Sequence, residues 1–185
     1  MLAKLRKLSL RLLASAAGAI LIVLSLVPFL GRGWHLFYGN DISYEGWTVP
    51  VPAGFYVRGS HTGPTMWKET FGMPFLRMPY GHISLFHRSQ QLFLADEDYL
   101  QFKKGLTQDA AEEGYQPTSE VTIPTAIGSA YCLGFARSEG EPLALERCAV
   151  RGTGLVLFYE GDPRFTPAFF GMLKGMYKTR PATRS

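Results

Sequence analysis

Residues 129–151, SAYCLGFARSEGEPLALERCAVR, read as two apolar strand segments, Ser129–Arg137 and Leu143–Arg151, around a turn at Ser138 to Pro142. If the hairpin turns about Gly140, residues whose numbers sum to 280 face each other, and Cys132 and Cys148 do so. Opposed residues in a non-hydrogen-bonded antiparallel pair have Cα atoms about 4.5 Å apart, within disulfide reach. The spacing therefore predicts a disulfide between the chain's 2 cysteines. The alternative is two buried free thiols acting as small hydrophobes. A redox role is poorly supported, because there is no Cys-x-x-Cys and neither cysteine opens a helix.

Working outward, Glu120–Ile123 and Gly154–Tyr159 extend the hairpin into an antiparallel meander, with Pro124 to Gly128 and Gly152-Thr153 as turns. A helix is expected before it, from Glu97 to Glu113. Asp96 is a suitable N-cap, Tyr99, Phe102, Leu106 and Ala110 recur at helical spacing, and Gly114 terminates the run. Further upstream, Tyr44 to Val57 gives two short strand segments around a Pro52-Ala53-Gly54 turn, with the prolines suggesting a sheet edge. Thr65–Phe71 and Gly81–His87 read as further strands. The chain closes with a helix capped by Thr166, with Pro167 in its first turn. Its expected apolar face is Phe169, Phe170, Leu173, Met176 and Tyr177. Strands, helix, meander and helix in that order predict an α+β fold: a twisted antiparallel sheet packed by two helices.

The first 33 residues behave differently. Leu12 to Leu30, LLASAAGAILIVLSLVPFL, is a run of nineteen residues without a charge. As a helix at about 1.5 Å per residue it matches the hydrocarbon core of a bilayer. Lys4, Arg6, Lys7 and Arg11 precede it and only Arg32 follows closely, so the positive-inside bias predicts a cytoplasmic N-terminus. Trp34, Phe37 and Tyr38 then suit an aromatic belt at the far membrane interface. A cleaved signal peptide is the competing reading, but the run is long for one and its small residues lie in the wrong half. Ala14/Gly18 and Ser15/Ala19 are small-xxx-small pairs, which an Ala-rich span also produces by chance. The expected organisation is 1–33 cytoplasmic tip and transmembrane anchor, 34–43 juxtamembrane linker, 44–179 globular domain and 180–185 tail.

The net charge of +4 belongs to this tether. Five of the 19 basic residues precede Trp34 and all 15 acids follow it, so the remainder carries 14 basic against 15 acidic groups. A near-neutral domain offers no basic face for nucleic acid. An aromatic share of 14% argues against disorder.

Catalytic chemistry is hard to find. His82 and His87 share one expected strand but point to opposite faces, while His35 belongs to the membrane boundary and His61 to a Gly-rich turn. Gly152-x-Gly154 precedes a strand, which is not the geometry of a phosphate cradle. Asp96-Glu97-Asp98 is accounted for by helix capping. No catalytic, metal or cofactor site is assigned. Phe71 to Gly81, FGMPFLRMPYG, is apolar and irregular. Its Met73, Phe75, Leu76, Met78 and Tyr80 either complete the core or form a partner-contact loop.

The opening Trp47-Thr48-Val49-Pro50-Val51-Pro52-Ala53-Gly54-Phe55, followed by strand, helix, meander and closing helix, resembles the PsbP-like group over about 44–177. That resemblance implies a central antiparallel sheet with helices on both faces and a non-catalytic accessory role beside a larger complex. The anchor, the hydrophobic 71–81 loop and the disulfide depart from that pattern.

The expected function is thus a single-pass membrane protein with its domain extracytoplasmic, periplasmic if the source is bacterial. It would serve as an accessory or assembly subunit, with the lipid bilayer and a membrane protein complex as partners. The alternative is an anchored ligand-binding domain or enzyme with a pocket between sheet and helix, near Tyr131, Phe135, His87 and Arg147. The sequence does not specify a small ligand.

Overall fold

The structure, a computed structural model, describes Ser15, Gly18 and residues 29–60, 63–69, 80–87, 96–137 and 143–179. The elements in order are α1 (Leu30–Tyr38), β1 (Asp41–Tyr44), β2 (Trp47–Pro50), β3 (Tyr56–Ser60), β4 (Gly63–Glu69), β5 (Tyr80–His87) and α2 (Asp96–Glu112). They continue with β6 (Tyr115–Thr125), β7 (Gly128–Arg137), β8 (Ala144–Val150), β9 (Leu155–Gly161), a 3-10 turn (Pro163–Phe165), α3 (Thr166–Gly175) and β10 (Tyr177–Lys178).

Seven strands form one antiparallel sheet in the order β3-β4-β5-β9-β8-β7-β6, and a smaller sheet has the order β1-β2-β10. The expected α+β class is therefore present, with two sheets where one was expected. The β7–β8 hairpin has the register read from the sequence, with Ala130 opposite Val150, Cys132 opposite Cys148 and Ala136 opposite Ala144. Helix α2 links β5 in the middle of the large sheet to β6 at its far edge, so β5 pairs with β9.

Strand alternation divides the core between two faces. On one face Ile83, Leu85, Cys132, Cys148, Leu155, Leu157 and Tyr159 pack with Phe169, Met172 and Leu173 of α3 and with Val49 and Phe55. On the other, Leu106 and Ala110 of α2 cover Leu133, Phe135 and Leu145, while Tyr99 and Phe102 join Phe86, Ala149, Val156 and Phe158. Each fully buried Leu, Ile or Phe among these contributes about 1.5–3 kcal/mol. Gly114, at φ 82°, ends α2 in the left-handed conformation that glycine adopts without a Cβ penalty.

Several expectations are corrected. Residues 34–43, read as a linker, hold most of α1 and the first residues of β1. Pro50 and Pro52 suggested an edge, yet β2 is the middle strand of its sheet; Pro50 is its last residue, where the pairing with β10 has already ended. The Glu120–Ile123 strand is longer, Tyr115–Thr125, and absorbs Pro117 through a shift in register between Pro117 and Ser119. Helix α3 stops at Gly175, so Tyr177 leaves the helix face expected for it and lies exposed in β10, opposite Thr48. The hydroxyl of Thr166 makes no cap; Asp162 caps the preceding 3-10 turn by accepting from the Arg164 amide at 2.8 Å.

Candidate functional site

The nineteen-residue uncharged run lies outside the described residues except for Ser15, Gly18, Phe29 and Leu30. Among the described residues no helix is long and apolar enough to cross a membrane. The run ends inside α1, whose first residue is Leu30, and the helix is seated on the domain by close backbone contact. A Cβ placed on buried Gly31 would stand 2.1 Å from the carbonyl oxygen of Gly54, so only glycine allows this approach. His35 adds a clasp, with Nε2 3.2 Å from the Pro52 carbonyl and Nδ1 3.1 Å from the Asn40 side chain. Trp34 packs against the main core and stacks on Tyr38, ring centres 5.6 Å apart.

The rest of α1 is bare. Leu36, Phe37 and Tyr38 are 84%, 85% and 72% exposed, and Phe29 and Leu30 are also largely exposed. Nine residues carrying so much uncovered apolar surface are unusual for a helix facing water. Alongside lies an open groove of about 430 Å³, walled by Phe29, Leu30, Gly33, Trp34, Phe37, Tyr38 and, from edge strand β3, Tyr56, which is only 8% exposed. Trp34, Phe37 and Tyr38, expected at a membrane interface, are thus brought together on one helix. The parts played by Gly33 and Tyr56 had no signal in the sequence, since they depend on how α1 docks.

A second cluster occupies the α2 side of the large sheet, on β3, β4 and β5. The guanidinium of Arg58 lies 5.1 Å from the ring centre of Tyr56 and 5.7 Å from that of Trp67. Trp67 stacks on His82 at 4.0 Å, and His82 Nε2 is 3.0 Å from the Ser84 hydroxyl. Burial holds the imidazole below its ordinary pKa of 6.5, so His82 is neutral at pH 7. A serine beside a neutral histidine has the elements of an activated nucleophile. Here, however, Glu160 accepts from Tyr80 at 3.2 Å, Ser84 is buried, and β5 is paired on both sides by β4 and β9. An oxyanion site needs backbone donors aimed at a developing charge, and these strands spend theirs on the ladder.

Tyr80, expected in the partner-contact loop, instead begins β5, and burial together with Glu160 pushes its pKa up to about 12. Met73, Phe75, Leu76 and Met78 lie outside the described residues. Of the four residues proposed for a sheet–helix pocket, Tyr131, Phe135 and Arg147 share the α2 face of β7 and β8, while His87 stands apart on β5. Phe135 is packed beneath α2, and Arg147 lies against Phe158, 3.9 Å from Asp109 and 3.7 Å from Glu113. Tyr131 accepts from Arg151 at 3.2 Å, and His87 is exposed at the end of β5. Among the described residues no group of three or more His, Cys, Asp or Glu is arranged to hold a metal ion.

Two buried features complete the inventory. Cys132 and Cys148 are joined, with Cα atoms 4.1 Å apart and no exposure to solvent. Glu146, 7% exposed, points to the α3 side of the sheet beside Gly134, and its Oε2 makes no hydrogen bond. Burial raises its pKa to about 7.

No family model matches the chain, and no curated protein matches it. A solved structure of a Pseudomonas aeruginosa protein of unknown function is similar at a TM-score of 0.41 and 15% identity, over 69% of this chain and 99% of that one. So distant a likeness carries no argument about activity.

Proposed function

We propose that this chain is a single-pass membrane protein whose PsbP-like domain lies on the non-cytoplasmic side, periplasmic in a bacterium, and serves as a non-catalytic accessory or assembly subunit of a larger membrane complex. The observation that carries this reading is the exposed apolar surface of α1, directly continuous with the uncharged Leu12–Leu30 run. A helix that meets lipid on one side and is clasped to a folded domain on the other suits a short, rigid tether. The joined cysteine pair fits an oxidising compartment. Met73, Phe75, Leu76 and Met78 are the proposed contacts with the partner complex.

The test is purification of the full chain from its own membranes in mild detergent. A stoichiometric membrane partner is expected; a clean monomer overturns the accessory role. A reporter fused after Ser185 that proved cytoplasmic would overturn the orientation.

A further inference from the structure

We propose that the groove between α1 and Tyr56 receives an acyl chain of a bilayer lipid. The inference rests on the anchored reading above and deepens it by naming what the tether binds. Two walls of the groove, Phe29 and Leu30, are the last residues of the uncharged run, so the groove opens where the hydrocarbon would end. Its other walls are aromatic rings and Gly33, which adds no side chain and leaves the floor open. A volume of about 430 Å³ falls within the roughly 300–1,000 Å³ of small-molecule sites.

The groove also has a fixed geometry. Gly31 against Gly54 and the His35 clasp hold α1 to the domain, so Tyr56 on β3 and Phe37 on α1 face a common space. Binding there costs the protein little further freedom, because the walls of the groove are already ordered. It would bring the β3 edge of the domain down to the bilayer surface. The protein would then be oriented as well as tethered.

The experiment uses the full chain in vesicles of phosphatidylcholine carrying a photoactivatable diazirine within one acyl chain, with adducts mapped by peptide mass spectrometry. Adducts on Tyr56 and Phe37 are expected. Tyr56 is the diagnostic position, since it belongs to the domain and not to the membrane run. Gly33→Leu fills the groove, and its Cβ meets nothing within 4 Å, so the fold should tolerate it. That variant should lose at least about tenfold of the Tyr56 adduct, as expected for blocking a preformed apolar site.

Adducts confined to residues before Phe29, or unchanged Tyr56 labelling in Gly33→Leu, overturn the proposal. Protein–protein crosslinks through Phe37 in place of the lipid adduct also overturn it and assign the groove to a second copy. Carbonate extraction of the same samples reports on the anchor alone. A carbonate-resistant chain with unlabelled Tyr56 loses the groove and keeps the tether. A chain stripped by carbonate loses the tether, whatever Tyr56 shows.

Discussion

Cys132 on β7 and Cys148 on β8 stand directly opposite each other, and their bond closes a segment with a sequence separation of 16. A cross-link of that span stabilises by about 3 kcal/mol through the unfolded chain. Both sulfurs are buried in the core beside Leu157, so the Ala pair at these positions also leaves poorly filled space. The Cys132→Ala/Cys148→Ala chain should be less stable by at least this amount, seen as a lower urea midpoint. In the wild type, a thiol label should be taken up only after reduction and denaturation. Uptake by the native, unreduced chain would remove the disulfide.

Glu146 should make stability fall as pH rises. In the unfolded chain its carboxyl titrates at the ordinary value of 4.5, whereas in the fold it keeps its proton to about 7. Between these values the folded state binds more protons than the unfolded state, so the fold loses about 3 kcal/mol across the window and nothing further above it. Glu146→Gln removes the titration. The variant should match the wild type near pH 4 and exceed it by about 2–3 kcal/mol at pH 8, read as urea midpoints of the detergent-solubilised chain. An equal difference at both pH values would mean that the carboxyl does not ionise in this window.

Local pattern carried much of the fold. Cys132 and Cys148 could be paired from the sequence because a hairpin with a single turn fixes its own register. Helix α2 could be bounded because Asp96, Gly114 and the Tyr99-Phe102-Leu106-Ala110 stripe are all local signals. What depends on contacts between distant segments was not legible. Tyr177 looks helical by spacing, but pairing with Thr48 across the chain draws it into β10. Arg147 reads from the sequence as a pocket residue and Glu146 draws no reading, yet successive strand residues face opposite sides, so each is buried in a different layer. Of the candidate site, the aromatic residues of α1 were legible as apolar. The groove was not, because one of its walls is Tyr56, set by the docking of α1 on β3.

Arg147 should act through packing more than through charge. Its guanidinium lies 5.6 Å from the ring centre of Phe158 and reaches Asp109 and Glu113, whose own side chains are 65% and 59% exposed. Removing the arginine lets both carboxylates return to water, so the ion pairs contribute little net energy. Its aliphatic stem fills space between α2 and the sheet. Arg147→Met should therefore change stability by less than about 1 kcal/mol, while Arg147→Ala costs about 2 kcal/mol. Urea midpoints of the two variants, each at low and high salt, check this. A large loss in both that disappears at high salt would show that the charge was responsible.

Gly31 should be the most sensitive position in the tether. Its α1 backbone lies so near Gly54 that an added Cβ would stand 2.1 Å from the Gly54 oxygen and 2.3 Å from its carbonyl carbon. Backbone cannot yield as a flexible side chain does, and Gly54, at φ 82°, is itself in a conformation that suits glycine alone. Gly31→Ala must therefore lift α1 off the domain, at a cost of about 1–3 kcal/mol. Within the seven-stranded sheet α1 docks chiefly on edge strand β3, three or more strands away from β9, β8 and β7, so the loss should be local. Amide hydrogen exchange is expected to rise sharply across α1 and at Phe55, whose amide bonds to Pro52, the residue that His35 clasps. Protection in β7, β8 and β9 should stay at wild-type levels. Uniformly faster exchange would mean that α1 is an integral layer of the core, and unchanged exchange that the helix does not rest on Gly54 at all.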